Sequence, residues 1–295
     1  MSRLAYLGTP ELAVPPLRAL VDAGHDVALC VTRPDRRRGR GGAVTPSPVK
    51  AVAGELGIPV SHDMDDVLTA GVELAVVVAF GRIIPVRLLA QVPMVNLHFS
   101  LLPRWRGAAP VERAILAGDT ETGVCLMRVD EGLDSGPVYA RRAVPISDTV
   151  TLPVLRDQLV AVAGALLVDA LSRGVSGLPA PQPQRGEVTL AEKITVEDLH
   201  LRWEEPARQL ARVVRLGRAW TTFRGKRLRV LSAAVEAGDG ASDGSPGGTL
   251  HDARVSTGAG WLVLHEVQPE SRSPMSAEEW LRGVRPGDGE RLGTD

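Results

Sequence analysis

Short apolar runs alternate with amphipathic stretches through the first half of the chain, the βαβ pattern of a parallel sheet covered by helices. RLAYLG, beginning at Arg3, reads as a strand. PELAVPPLRALVDAG reads as a helix that starts at Pro10 and stops at Gly24. DVALCVT is the next strand, and SPVKAVAGELG a helix with Ser47 as N-cap and Pro48 at its first position. ELAVVVAF is apolar throughout, as a central strand buried on both faces must be. MVNLH predicts another central strand, and AAPVERAILAG the helix after it.

From Gly123 the pattern changes. GVCLMRVD and GPVYARRAVPI predict strands joined through EGLDSG, whose glycines suit a tight turn, and a long helix follows over about 151–173. GVSGLPAPQPQRGEV then breaks all periodicity with Pro, Gly and Gln, the composition of an extended linker. Beyond it, a helix at PARQLARVVRLG leads into short alternating strands separated by Gly-rich turns, the last of them at GERLG. EAGDGASDGSPGG has the composition of a flexible loop. The expected fold is therefore α/β: a doubly wound, mostly parallel sheet domain over 1–173, a linker over 174–195, and a small OB-like β-barrel over 196–295.

Composition adds exclusions. At 295 residues, 44% hydrophobic and 23% charged, the chain is long enough for two cores. A net charge of −1 argues against a protein that coats nucleic acid indiscriminately, so any nucleic-acid contact must come from local clusters. Cys30 and Cys125 both sit in apolar stretches, which predicts small buried thiols rather than a disulfide framework. The residues after Met1 lack a basic-then-apolar leader and no run approaches a membrane span, so a cytoplasmic setting is expected.

The chemistry concentrates in NLHFSLLPRWRGAAP. Asn96 and His98 lie two apart at the end of a buried strand, so both side chains leave on one face, at the carboxyl end where α/β sheets place ligands. Pro103 and Gly107 impose a defined loop after them, and Ser100 can tie its hydroxyl to the backbone. Asp134, between Gly132 and Gly136, supplies a carboxylate, with Asp130 and Glu131 as rivals. An amide donor, an imidazole and a carboxylate suit acyl transfer: two groups to hold a developing oxyanion and one to orient the imidazole or take a proton. No GxSxG elbow makes Ser100 a nucleophile, the six histidines have no zinc spacing, and LGTPELA is not a dinucleotide fingerprint, so a metal-free enzyme is expected.

VNLHFSLLPRWRGAAPVERAILAGDTETGV with VDEGLDSGPVY, together with LGTPELAVPPLRAL, TRPDRRRGRGGAVTPSPVK, VVVAFGRIIP and AEKITVEDLHLRW, resembles the methionyl-tRNA formyltransferase family over nearly the whole chain. The resemblance implies transfer of formyl from 10-formyltetrahydrofolate to the α-amine of methionyl initiator tRNA, with Asn96, His98 and Asp134 as the catalytic trio. It implies a folate pocket along Phe80, Gly81, Arg82, Ile83, Ile84 and Pro85, with Ser100, Leu101, Leu102, Pro103, Asp130 and Gly132 as further contacts. Ile83 and Ile84 read equally well as core packing. It also implies tRNA contacts at Arg33, Arg36, Arg37, Arg38, Arg40 and Lys50, and at Arg215, Arg224, Lys226 and Arg227 in the second domain, in a monomer that needs no membrane. Trp220 is expected to pack rather than to stack on RNA. The chain departs from the family in a short stretch at PVSHDMDDVLTAGVELAV and in lacking a proline-containing loop before Ala219. The alternative is a formyltransferase acting on a small amine such as a sugar nucleotide, which would not need the basic second domain.

Overall fold

A computed structural model describes residues 1–38, 43–236 and 244–294. The chain divides into two compact units: Met1–Val111, Glu121–Pro145 and Leu155–Glu192 form the first, and Glu112–Thr120, Ile146–Val154 and Lys193–Asp295 the second.

The first unit is built on seven strands: β1 (Arg3–Gly8), β2 (Asp26–Val31), β3 (Val60–Ser61), β4 (Leu74–Val78), β5 (Met94–His98), β6 (Glu121–Arg128) and β7 (Val138–Pro145), in the order β7-β6-β5-β4-β1-β2-β3. β1 to β5 run parallel, while β6 pairs antiparallel with β5 and β7 with β6. The chain builds outward from β1 through β2 to β3, then returns to lay β4 and β5 on the other side of β1. The topological switch point therefore lies between β1 and β4, one strand from β5. β1 and β4 are buried along nearly their whole length, which is why their sequences are apolar without alternation.

Helix starts follow the sequence closely. Ser47 accepts the Lys50 N–H at 3.1 Å and caps Pro48–Glu55. The helix expected from Pro10 begins as a single 3₁₀ turn at Glu11–Ala13 and turns α-helical at Val14–Asp22, with prolines in its first turn. Leu155, Leu159, Ala163 and Leu166 of the helix Leu152–Leu171 recur every three or four residues and are buried. Cys30 and Cys125 are buried free thiols, and burial pushes Cys30 up to about 12.

The second unit is an antiparallel sheet of β8 (Trp220–Phe223), β9 (Lys226–Val235), β10 (Leu250–His251), β11 (Arg254–Ser256), β12 (Trp261–Pro269) and β13 (Met275–Ser276). Its order is β8-β9-β12-β11-β10, with β13 also on β12. Arg224 and Gly225 both take positive φ, 50° and 70°, and form the two-residue turn between β8 and β9, the geometry whose twist matches paired strands. Leu210, Val213 and Val214 of the helix Ala207–Val214 join Trp203, Leu228, Val230, Val267 and Trp280 in one core. The expected strand at GERLG is reduced to a single bridge, Arg291 with Thr249. A helix that was not expected, Ala277–Val284, precedes it, opened by a reciprocal capping box of Ser276 and Glu279. Residues 237–243 of the Gly-rich stretch expected to be a loop lie outside the described residues.

Candidate functional site

β5 is flanked by β4 and β6, with Asn96 opposite Val77 and Met127 and His98 opposite Cys125, so the two side chains are held at the end of a strand fixed on both edges. His98 is only 5% exposed. Its Nε2 lies 2.8 Å from the Trp105 carbonyl, which can only accept, so Nε2 carries a proton and Nδ1 is the free edge. Nδ1 faces Asp134 Oδ2 at 3.5 Å. That separation is long for a direct hydrogen bond. Asn96 is partly exposed, and its carboxamide has no hydrogen-bond partner among the described residues.

The loop after β5 explains the sequence that follows it. The buried Ser100 hydroxyl donates to the Arg104 carbonyl at 2.5 Å, and Leu102 packs with Cys125, Met127 and Val138. Trp105 takes φ 63° with the Arg104 guanidinium 4.5 Å over its ring, which turns the Trp105 carbonyl onto His98. At Gly107 a Cβ would stand 2.8 Å from the Ala191 carbonyl oxygen, so only glycine allows this approach. The Gly107 N–H then donates to Asp134 Oδ2 at 2.8 Å.

Asp134 sits at φ 45°, a left-handed conformation rare outside glycine. The glycine expected to let its loop approach is in place: a Cβ on Gly136 would lie 2.0 Å from the Arg128 carbonyl oxygen. Of the rival acids, Asp130 is paired with Arg128 Nε at 2.9 Å and Glu131 is exposed, so Asp134 is the carboxylate that meets His98.

Two residues of the site were missed because they fall in the stretch read as linker. Gln184 donates to the carbonyls of Asp134 and Gly136, both at 2.8 Å, and accepts from Arg106. The Thr189 hydroxyl accepts the Trp105 N–H at 2.8 Å. Far from hanging free, residues 182–191 are laced to the first unit: Gln182 exchanges hydrogen bonds with Val138, and Leu190–Ala191 pairs with Arg106–Gly107. No local signal marks Gln184, since its partners stand 48, 50 and 78 residues away in sequence.

The residues expected along the folate pocket divide by burial. Phe80 is 2% exposed and belongs to the core with Leu7, Val31, Val77 and Met94, and Ile84 packs against the same cluster. Ile83, by contrast, is 92% exposed, so core packing is not its role. Gly81 has φ 68° and its carbonyl accepts from Arg33, while the exposed Arg82 donates to the His62 carbonyl at 3.0 Å. Pro85 is partly buried. Leu102 and Pro103 are buried, the Ser100 hydroxyl is engaged with the Arg104 carbonyl, and Asp130 is held in its ion pair with Arg128. Leu101 is partly buried, Gly132 is exposed, and the neighbouring Leu133 is an exposed apolar side chain.

The basic residues also divide. Arg36–Arg38 forms a short strand paired with Ala43–Thr45, and Arg40 lies outside the described residues. Lys50 is bound to Asp35 at 2.6 Å. Arg215 is not a surface cation: it is partly buried, burial lowers its pKa, and it donates to the Ser147 carbonyl at 2.8 Å. Arg224 is gripped by both oxygens of Glu290, at 2.5 and 2.8 Å. Lys226 is exposed and makes no ion pair among the described residues. Arg227 lies 4.4 Å over the Trp220 ring, whose other contacts are the His200 ring at 4.3 Å and the Val196 carbonyl, so Trp220 packs as expected.

Among the described residues no group of three or more His, Cys, Asp or Glu is gathered as a metal would require, and no helix is long and apolar enough to cross a membrane. A doubly wound sheet carrying Asn, His and Asp at its carboxyl end, followed by an antiparallel sheet unit, defines the class. The chain belongs to the formyl transferase family, matching the formyl transferase domain over residues 2–171 and the formyl transferase C-terminal domain over 193–285. It is 42% identical to a methionyl-tRNA formyltransferase of Roseobacter denitrificans, over 97% of each chain. A methionyl-tRNA formyltransferase of Streptomyces coelicolor is 45% identical, over 99% of each. In structure it is similar to HypX from Aquifex aeolicus in complex with tetrahydrofolic acid, with a TM-score of 0.63 and 19% identity over 98% of this chain; it spans 48% of that longer chain, and the likeness is one of fold.

Proposed function

We propose that this protein transfers the formyl group of 10-formyltetrahydrofolate to the α-amine of methionyl initiator tRNA. The observation that carries the chemistry is the Asn96 carboxamide, without a hydrogen-bond partner among the described residues, beside a His98–Asp134 pair that the backbone holds in place. The acceptor is supported by relatives of that name, 42% and 45% identical over nearly the full length of both chains.

The α-amine of an aminoacyl ester, with an ordinary amine pKa of roughly 7.7 to 8, is substantially neutral near pH 7 to 8. It attacks the formyl carbon, a C–N bond forms, and the carbonyl oxygen takes up negative charge. Asn96 has both amide hydrogens free to donate to that oxygen. Because His98 Nε2 is committed to Trp105, the imidazole works through Nδ1, at the gap facing Asp134, where a proton leaving the attacking nitrogen is received. Collapse of the tetrahedral species breaks the bond between the formyl carbon and the folate nitrogen, which takes a proton and leaves. Exposed Ile83, an apolar side chain offered to solvent beside β4, suits one face of a flat donor. We assign the folate contacts to the backbone of Gly81 to Ile84 and to Leu101 and Gly132. We assign the tRNA contacts to Arg33, to the Arg36–Arg38 strand with Arg40, and to Lys226 and Arg227, while Lys50 is already paired with Asp35. The setting we propose is the cytoplasm, with the protein acting as a monomer.

The test is transfer of labelled formyl from 10-formyltetrahydrofolate to methionyl initiator tRNA, with a sugar-nucleotide amine and water as competing acceptors. Formyl on the tRNA supports the reading; folate turnover with label only on the competing amine, or only as free formate, replaces the acceptor.

A further inference from the structure

The Gln184 carboxamide uses its full hydrogen-bonding capacity inside the site. Its two amide hydrogens go to the carbonyls of Asp134 and Gly136, both at 2.8 Å, and its oxygen accepts from Arg106 Nε at 3.1 Å and Nη2 at 2.7 Å. This pattern fixes which end of the amide is oxygen, because turning it over would set oxygen against two carbonyls and NH2 against a guanidinium. The partners are the significant feature. One is the backbone of the residue that presents the carboxylate, held at φ 45°, a conformation that persists only where surroundings over-determine it. Another is the arginine immediately before Gly107, whose N–H holds Asp134 Oδ2 at 2.8 Å. One side chain thus joins the carboxylate's backbone to the strand that supplies its donor.

The segment around Gln184 reaches the imidazole as well. The Thr189 hydroxyl accepts from Trp105 N–H, the Thr189 carbonyl accepts from Arg106 N–H at 2.9 Å, and the Ala191 carbonyl accepts from Ala108 and Ala109. Trp105 in turn offers its carbonyl to His98. Residues 184–191 are therefore one strap that braces both members of the His98–Asp134 pair, and Gln184 is the side chain that holds the backbone of Asp134.

We propose that Gln184 is a positioning residue for formyl transfer, setting the Asp134 carboxylate against His98 Nδ1; this rests on the function proposed above. It touches no substrate in this role. Its removal changes the rate of the chemical step and leaves substrate binding alone, because a displacement of a reacting group by about 1 Å is enough to cost on the order of a hundredfold. Gln184→Glu gives a sharper signature. An ionised Glu keeps the contact with Arg106 but sets a carboxylate oxygen against two carbonyls, whereas a protonated one restores one donated hydrogen bond.

The experiment measures kcat and KM for 10-formyltetrahydrofolate and for methionyl initiator tRNA, and thermal unfolding, in wild type, Gln184→Ala and Gln184→Glu. Wild-type formyl transfer is the control that separates this inference from the reading beneath it: without it, the reading fails. With it, Gln184→Ala is expected to lower kcat 10- to 100-fold, with both KM values within about threefold. Gln184→Glu is expected to recover activity toward acid pH, a limb absent from wild type. Should Gln184→Ala not fold, the pH profile of the isosteric Gln184→Glu decides. A kcat within twofold of wild type in folded Gln184→Ala, a defect confined to KM for tRNA, or a Gln184→Glu profile parallel to wild type would overturn the assignment.

Discussion

The end of β5 and the basic cluster of the second unit contrast in how residue type translates into available chemistry. At the end of β5, nearly every polar group is bound to backbone: His98 to the Trp105 carbonyl, Asp134 to the Gly107 N–H, Ser100 to the Arg104 carbonyl. Among the described residues, what stays available is small and directed, namely the Asn96 carboxamide and the Nδ1 edge of His98, which faces only Asp134 Oδ2 at 3.5 Å. In the second unit the cations are more numerous in sequence than on the surface. Of the four expected contacts, Arg215 is taken up by a carbonyl and by burial and the exposed Arg224 is paired with Glu290, which leaves Lys226 and Arg227 as the exposed cations with no ion pair among the described residues. A site built from backbone partners keeps its geometry, whereas a count of arginines overstates the charge a partner can meet.

The largest effect that sharpens this contrast is expected from His98→Ala, which removes the edge proposed to accept the proton. The formyl-transfer rate should fall on the order of 10²- to 10⁴-fold, with tRNA affinity unchanged, as read by single-turnover kinetics beside a filter-binding isotherm. Next comes Lys226→Ala, which should weaken tRNA binding a few-fold and make the slope of log affinity against log salt shallower by about one unit, with kcat at saturation preserved. Arg224→Ala, made for comparison, should leave that slope unchanged, because Glu290 already holds the guanidinium. If Arg224→Ala flattens the slope as much as Lys226→Ala does, the division into engaged and available cations is wrong.

The smallest effect concerns stability. Burial pushes the Asp198 carboxyl up, but hydrogen bonds from Arg113 and Thr195 outweigh it and hold the carboxyl below its ordinary value. A carboxyl depressed on folding stabilises the protein above its unfolded pKa near 4, and that contribution is lost as pH falls through the lower folded value. Asp198→Asn should therefore cost about 1 kcal/mol at pH 7. The same variant should show a flatter loss of stability in acid, followed by urea denaturation at pH 7 and pH 3.

How much of this was legible in the sequence follows the same division. The strands of the first sheet, the Ser47 cap and the Asn96-x-His98 pair could be read because each depends on neighbours a few residues away. The residues alone left Asp130 and Glu131 as rivals of Asp134, the resemblance chose Asp134, and the physical reason needed the fold: Arg128 claims Asp130 while the Gly107 N–H holds Asp134. Gln184 could not be read at all: proline and glycine around it announce an extended segment, and extended segments reveal nothing about what they lie against. The Ala277–Val284 helix carried a readable signal, Ser276 with Glu279 three residues on, in a stretch to which no element was assigned from sequence.

The central claim is that formyl transfer takes place at the carboxyl end of β5, with the free Asn96 amide holding the developing oxyanion. The most direct test is the single-turnover rate of formyl transfer to methionyl initiator tRNA by Asn96→Ala at saturating donor and acceptor. A loss of about a hundredfold or more, on the order of 3 kcal/mol of transition-state stabilisation, with the tRNA dissociation constant within twofold of wild type, is the predicted result. An unchanged rate, or a loss fully restored by raising the concentration of either substrate, would contradict it.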